Sequence, residues 1–210
     1  VSATPSMASV SLIRGADLVA APWKNGGGVT REVAAFPAGA TLDVFAWRVS
    51  VADVAQAGPF SRFAGIDRTL VLLSGARMLL VEAGGPHVVV HTLREPLDIA
   101  RFEGETAIVA HPADGPTRDF NLMVRRSSAR ADLTVWRSGA FDVQDADTFL
   151  LFCAHGPVDV ELGVGAMHTL DTLDTLRVDS PRSLSCKLRG EGAAMLAVRI
   201  HKLPADEVVT

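Results

Sequence analysis

Short apolar runs rich in Val, Leu and Thr recur along the chain, each closed by Gly, Pro or Asp, and this spacing predicts strands joined by turns. The predicted strands are Thr30 to Ala35, Asp43 to Val51, Thr69 to Ser74, Met78 to Val81, His87 to Leu93, Ala107 to Ala110, Phe120 to Arg125, Ala131 to Arg137, Thr148 to Cys153, Val158 to Leu162, Arg182 to Leu188 and Ala194 to His201. Helical periodicity is weak, and only Ser61 to Phe63 and Gly15 to Leu18 suggest brief helical turns. Twelve strands in 210 residues predict an all-β sandwich or barrel system.

An internal repeat divides the chain. Thr69 to Glu82 can be laid without a gap on Thr148 to Glu161 at an offset of 79 residues, with four of fourteen positions identical. The match continues through Pro96 to Ile99 against Thr175 to Val178, and, after a deletion, through Met123 to Arg126 against Ala197 to Ile200. This order predicts a duplication with its join near Ser127 to Asp132, hence an N-terminal unit over residues 1–130 and a C-terminal unit over 131–210. Two tandem units of this kind fit a double jelly-roll of the cupin type better than one up-and-down barrel, which would not repeat at half its length.

Composition narrows the function classes. The formal net charge is −4, without the basic excess of a nucleic-acid binder. No apolar run approaches the roughly 20 residues that span a bilayer, and Val1 to Val10 lacks the layout of a secretory signal, so a cytoplasmic protein with no membrane partner is expected. Cys153 and Cys186 stand outside any CxxC or Cys/His cluster and are expected to be buried free thiols.

Three segments carry unusual chemistry. Pro22 to Glu32 (PWKNGGGVTRE) has three consecutive glycines, Gly26, Gly27 and Gly28, which permit positive φ and close backbone approach to a ligand or another strand, while Lys24 and Arg31 add positive charge. It is not a P-loop, which needs Lys and Ser or Thr after the last Gly. Around Ala46 to Arg68, period two places Val44, Ala46, Arg48 and Ser50 on one face and Phe45, Trp47, Val49 and Val51 on the other. The Arg48/Ser50 face either meets water or lines a polar cavity. In the following loop Phe60 and Phe63 bury apolar area, and Asp67 beside Arg68 is expected to tie the loop down. On Asp119 to Arg126 (DFNLMVRR), Asn121, Met123 and Arg125 share a face that is either a polar slot or a strand end reaching water. A guanidinium fork suits a carboxylate, and Asn offers a donor and an acceptor.

Metal and nucleophile chemistry find little support. There is no HxH pair, and His87 and His91 lie on a β-branched run about 13 Å apart, too far to share an ion. There is no GxSxG elbow and no tyrosine; His111 with Asp114 or Asp119 would form at most a loop cluster.

Taken together, Trp23 to Glu32, Trp47 to Ala52, Gly58 to Gly75, Phe102 to Glu105 and Asp119 to Arg126 resemble the HutD/Ves family of bicupin-like proteins. The resemblance implies a cytoplasmic double cupin without the usual metal ligands or any cofactor, linked to bacterial histidine utilisation. It also implies that the three segments line one pocket in the N-terminal unit, with the second unit structural. The pathway's intermediates, urocanate, formiminoglutamate and formylglutamate, are anions. On that basis the expected partner is a small anionic metabolite: Arg48 and Arg125 clamp a carboxylate, Lys24 and Arg31 add charge, Asn25 and Asn121 read an amide or formyl group, and the backbone of Gly26, Gly27 and Gly28 approaches the ligand. Ser50, Phe60 and Met123 complete the lining and Trp47 supports it from behind. A metal-free isomerase or hydrolase would need a base in the same pocket, with Glu32, Asp67 or His111 as candidates; a ligand-free oligomeric scaffold would show no pocket.

Overall fold

A computed structural model describes residues 9–83, 88–144, 146–163 and 165–204. Among them one 3₁₀ turn, Gly15–Asp17, accompanies nineteen strands: β1 Ser9–Ile13, β2 Ala20–Pro22, β3 Gly28–Phe36, β4 Trp47–Val54, β5 Gly58–Pro59, β6 Ile66–Ser74, β7 Met78–Ala83, β8 Val89–Leu93, β9 Ile99–Glu103 and β10 Ala107–Pro112, followed by β11 Thr117–Arg125, β12 Ala129–Trp136, β13 Gly139–Val143, β14 Thr148–His155, β15 Val158–Leu162, β16 Ala166–Leu170, β17 Thr175–Asp179, β18 Leu184–Arg189 and β19 Ala194–Lys202. No helix among the described residues is long and apolar enough to cross a membrane. The chain forms two compact units: Leu18–Ala129, and Arg130–Pro204 together with the described residues up to Asp17.

In the first unit a sheet of order β2-β3-β4-β11-β6-β9 faces one of order β5-β10-β7-β8. Both contribute to a shared core, in which Val54, Leu70 and Leu72 meet Met78, Leu80, Leu93, Ile108 and Ala110. In the second unit the sheets run β1-β17-β14-β19-β12 and β13-β18-β15-β16, around a core that includes Phe149, Leu151, Cys153, Val160, Leu176, Cys186 and Met195. Numbering β4–β11 and β12–β19 each from one to eight, both units read 1-8-3-6 in one sheet and 2-7-4-5 in the other. This is the jelly-roll order twice over, so the all-β double-cupin architecture expected from the pattern is present.

The duplication is real, but its sequence alignment is slipped. Leu97, at φ +78°, donates to the Leu72 carbonyl, and Leu173, at φ +77°, donates to that of Cys153; the returning bonds run from Leu72 to Asp98 and from Cys153 to Asp174. Leu72 therefore corresponds to Cys153, two residues beyond the gapless match. The hairpin turns explain the slip: residues 75–77 join β6 to β7, whereas only Gly156 and Pro157 join β14 to β15. A gapless alignment lays buried Leu80 on exposed Asp159, while the structure matches it with buried Val160.

Three local expectations are corrected. The strand predicted from Asp43 begins at Trp47, because residues 41–44 turn, with Val44 N–H on the Thr41 carbonyl. Ser61 to Phe63 makes no helical turn: Phe60 N–H bonds Ile108 and Phe63 N–H bonds Gly104, so this segment is tied to distant backbone. Finally, β1 does not join the unit that follows it but pairs with β17, from Ser9 opposite Asp179 to Ile13 opposite Thr175. Both cysteines are buried and free, and burial pushes each thiol up to about 12.

Candidate functional site

The inward face of the first jelly roll is apolar at one end and polar at the other, and the polar end encloses a cavity of about 640 Å³. Alternation along three neighbouring strands sets its wall: Arg48, Ser50, Ala52 and Val54 from β4, Asp119, Asn121 and Met123 from β11, and Arg68 and Leu70 from β6. Trp23, Lys24 and Asn25 come from the loop before β3, and Phe60 and Phe63 from the segment after β5. The other face of β4 and β11 carries Trp47, Val49, Val51, Phe120 and Leu122, all buried.

Arg68 is the centre of this arrangement. It is only 8% exposed, and its Nε and Nη2 both reach Asn121 Oδ1 at 3.3 Å, while Nη1 donates to the Ser61 carbonyl at 3.4 Å. The guanidinium carbon lies 5.0 Å from the Phe60 ring centre, 5.1 Å from Phe102 and 6.0 Å from Phe63, an aromatic box that suits a weakly hydrated planar cation. Among the described residues no carboxylate lies within ion-pair distance of it. Burial, reinforced by the positive charge of Arg48, lowers its pKa to about 10, still far above neutrality, so a desolvated cation faces the cavity. Arg48 stands beside it, with Nε on Glu32 Oε2 at 2.7 Å and Nη1 on Ser50 Oγ at 3.3 Å.

Asp119 is the other unusual group. It is fully buried. Its Oδ2 accepts from the Thr117 hydroxyl at 3.2 Å, whereas Oδ1 has no hydrogen-bond partner among the described residues. Burial pushes its pKa up to about 7, against the Thr117 hydrogen bond and with a further push from the Asp53 charge.

Of the residues expected at the site, Lys24, Asn25, Arg48, Ser50, Phe60, Asn121 and Met123 line the cavity. The rest do not, each for a visible reason. Arg125 donates from Nε to the Phe45 carbonyl at 2.9 Å and from Nη2 to that of Asp43 at 2.7 Å, so it fastens the loop before β4 instead of clamping a ligand. Arg31 pairs with Asp53 at 2.6 Å. Trp47 lies on the opposite sheet face, stacked on Phe36. Gly26 takes φ +70° within the turn, and the Gly27 carbonyl accepts from Ala55 and Gln56. At Gly28 a Cβ would stand 2.5 Å from the Asp53 carbonyl oxygen. The glycines thus serve the turn and the approach of β3 to β4. None of the bases considered lines the cavity: Glu32 holds Arg48, Asp67 pairs with Arg126 at 2.7 Å instead of tying the loop down by a bond to its backbone, and His111 is exposed on β10.

Sequence reasoning passed over Arg68 and gave Asp119 only a loop role. The available signal was phase: Arg68 alternates with Leu70 and Leu72, so an inward pair of leucines implies an inward arginine. The second jelly roll supplies a comparison. Since Leu72 corresponds to Cys153, Arg68 corresponds to Phe149; Asn121, opposite Leu70, corresponds to Ala197, opposite Leu151; and Asp119, opposite Leu72, corresponds to Met195, opposite Cys153. All three counterparts are buried apolar residues of the second core. Among the described residues no group of three or more His, Cys, Asp or Glu could hold a metal ion. His91 is engaged by Glu82 at 2.7 Å, and His87 lies outside the described residues.

A jelly roll repeated twice, filled with apolar side chains in its second copy and carrying a cavity with three cationic side chains in its first, defines a double cupin, and the described lining of that cavity contains no histidine. Within that class the chain belongs to the HutD family, whose model matches residues 15–196. It is 36% identical over 174 residues, 82% of this chain and 88% of the relative, to an uncharacterised 21.2 kDa protein of the hutC 3′ region of Pseudomonas putida. Protein Ves of Citrobacter koseri is 38% identical over 114 residues, 54% of this chain and 56% of Ves. The structure of HutD from Pseudomonas fluorescens SBW25 superimposes over 93% of this chain and all of that one, with a TM-score of 0.78 and 30% identity.

Proposed function

We propose that the N-terminal cavity binds a small anionic metabolite, N-formylglutamate or urocanate being the foremost candidates, and that the protein is a metal-independent binding protein with a sensing role in histidine utilisation. One observation carries this: a buried guanidinium in an aromatic box, with no carboxylate beside it among the described residues and a second arginine at hand. A buried charge left unpaired costs stability, and an incoming carboxylate would supply the missing partner. Asn121 fixes the plane of the fork, and Arg48 and Lys24 add positive potential at the same wall. The relation of the family to the histidine-utilisation region supplies the candidate ligands.

The test is a thermal-shift titration with N-formylglutamate, formiminoglutamate and urocanate, with glutamate and succinate as controls. A ligand at 100 times its Kd stabilises by about 2.7 kcal/mol. A selective upward shift that is largely lost in Arg68→Lys, which keeps the charge but not the fork, is expected. A flat panel, or an equal shift in the variant, removes the proposal.

A further inference from the structure

The cavity contains one polar group with no use in holding a carboxylate. Asp119 presents a buried carboxyl to a wall whose other charged side chains are the cations Lys24, Arg48 and Arg68, and its Oδ1 is unpartnered among the described residues. A carboxylate there would repel an anionic ligand, whereas a carboxylic acid would donate to it. The structure also sets a distance. Asp119 and Asn121 are two residues apart on the same face of β11, which separates their side chains by about 7 Å. We propose that Asp119 is a second ligand contact, its protonated carboxyl donating to an acceptor atom of a two-ended ligand whose carboxylate lies at Arg68, so that the cavity takes up its ligand together with one proton from solvent.

The surroundings favour the protonated form in the complex. Charged side chains reach the cavity from β4 (Arg48), β6 (Arg68) and the loop before β3 (Lys24). On the opposite face of β4, Asp53 carries Arg31 and Arg118 at 2.6 Å each and adds its own negative charge to the field at Asp119. Within β11 the neighbour on the same face is Thr117, and the barrel wall opposite, from β7 and β10, presents Met78, Leu80, Ile108 and Ala110. A ligand carboxylate held at Arg68 would bring a further negative charge toward Asp119, which favours its protonated form as the Asp53 charge already does. The C-terminal counterpart, Met195, shows that packing alone does not require a carboxyl here.

This inference rests on the anion-binding proposal but is tested separately from it. N-formylglutamate and urocanate are titrated calorimetrically into the wild-type protein at pH 6, 7 and 8, in two buffers of different ionisation enthalpy. Uptake approaching one proton per ligand at pH 8 is expected, with Kd rising up to tenfold per pH unit above neutrality. In Asp119→Asn, which keeps the shape and an N–H donor, binding persists but proton uptake and pH dependence vanish. Thr117→Val, which removes a hydrogen bond favouring the ionised form, moves the pH at which binding weakens upward and keeps the proposal open to test if Asp119→Asn does not fold. Binding without proton uptake, or uptake unchanged in Asp119→Asn, overturns the role of Asp119 and leaves the anion site standing. No binding of either probe by the wild type removes both.

Discussion

At the scale of single residues, the polar wall works against folding. With its pKa raised by burial to about 7, Asp119 keeps its proton in the folded state across a window in which the unfolded chain has lost it. The folded state binds more protons there, so stability falls as pH rises from about 4 to about 7 and is level above that. Asp119→Asn is expected to abolish this fall, which urea unfolding at pH 4.5, 6 and 8 measures; parallel wild-type and variant profiles would contradict it. Arg68 shows the limit of reading residues singly. Beside Asp67 it reads as part of the loop's fastening, yet the two side chains lie on opposite faces of β6, Asp67 meeting Arg126 and Arg68 the cavity. Strand phase contains that information; adjacency in sequence conceals it.

At the scale of elements, hydrophobic alternation finds the long paired strands, because β4, β6, β11, β14 and β19 each bury one face over most of its length. It misses seven strands, β1, β2, β5, β9, β13, β16 and β17, none longer than five residues; β2 and β5, at three and two, have no room for a period. It does not reveal where β1 goes, since that pairing joins residues about 165 positions apart, beside a polar anchor. Asp174 receives Arg14 Nη1 at 2.6 Å, Gly15 N–H at 2.7 Å and Asp171 N–H at 3.1 Å. Burial alone would raise the Asp174 pKa, but these hydrogen bonds together with the Arg14 charge lower it. Gly15 fits closely beside this anchor, since a Cβ there would stand 2.6 Å from that of Leu173. Asp174→Ala is expected to cost about 1–3 kcal/mol and to speed amide exchange in Ser9–Ile13 more than in β14. Unchanged protection of β1 would mean that the strand ladder holds it without the anchor.

At the scale of the whole chain, the duplication separates what the fold needs from what the site needs. Both jelly rolls share strand order and the same positive-φ leucine before β9 and β17. Only the first carries Arg68, Asn121 and Asp119; the second has Phe149, Ala197 and Met195 in their places and folds around them. A repeat that packs apolar residues at all three positions shows that the fold does not require the polar set, which under the proposed function is kept for a ligand at a cost in stability. Arg68→Met puts this to a direct test, since it replaces a desolvated, carboxylate-free cation with a flexible apolar side chain among three phenylalanines. The ligand-free protein is expected to gain about 1–2 kcal/mol, or roughly 2–8 °C in Tm for a chain of this size, while losing its thermal response to anions. Lower stability in the variant would mean that the guanidinium is a structural strut, held by Asn121 and the aromatic box for its own sake. Higher stability with the anion response lost would mean that the first jelly roll is kept below its attainable stability by the group that binds its ligand.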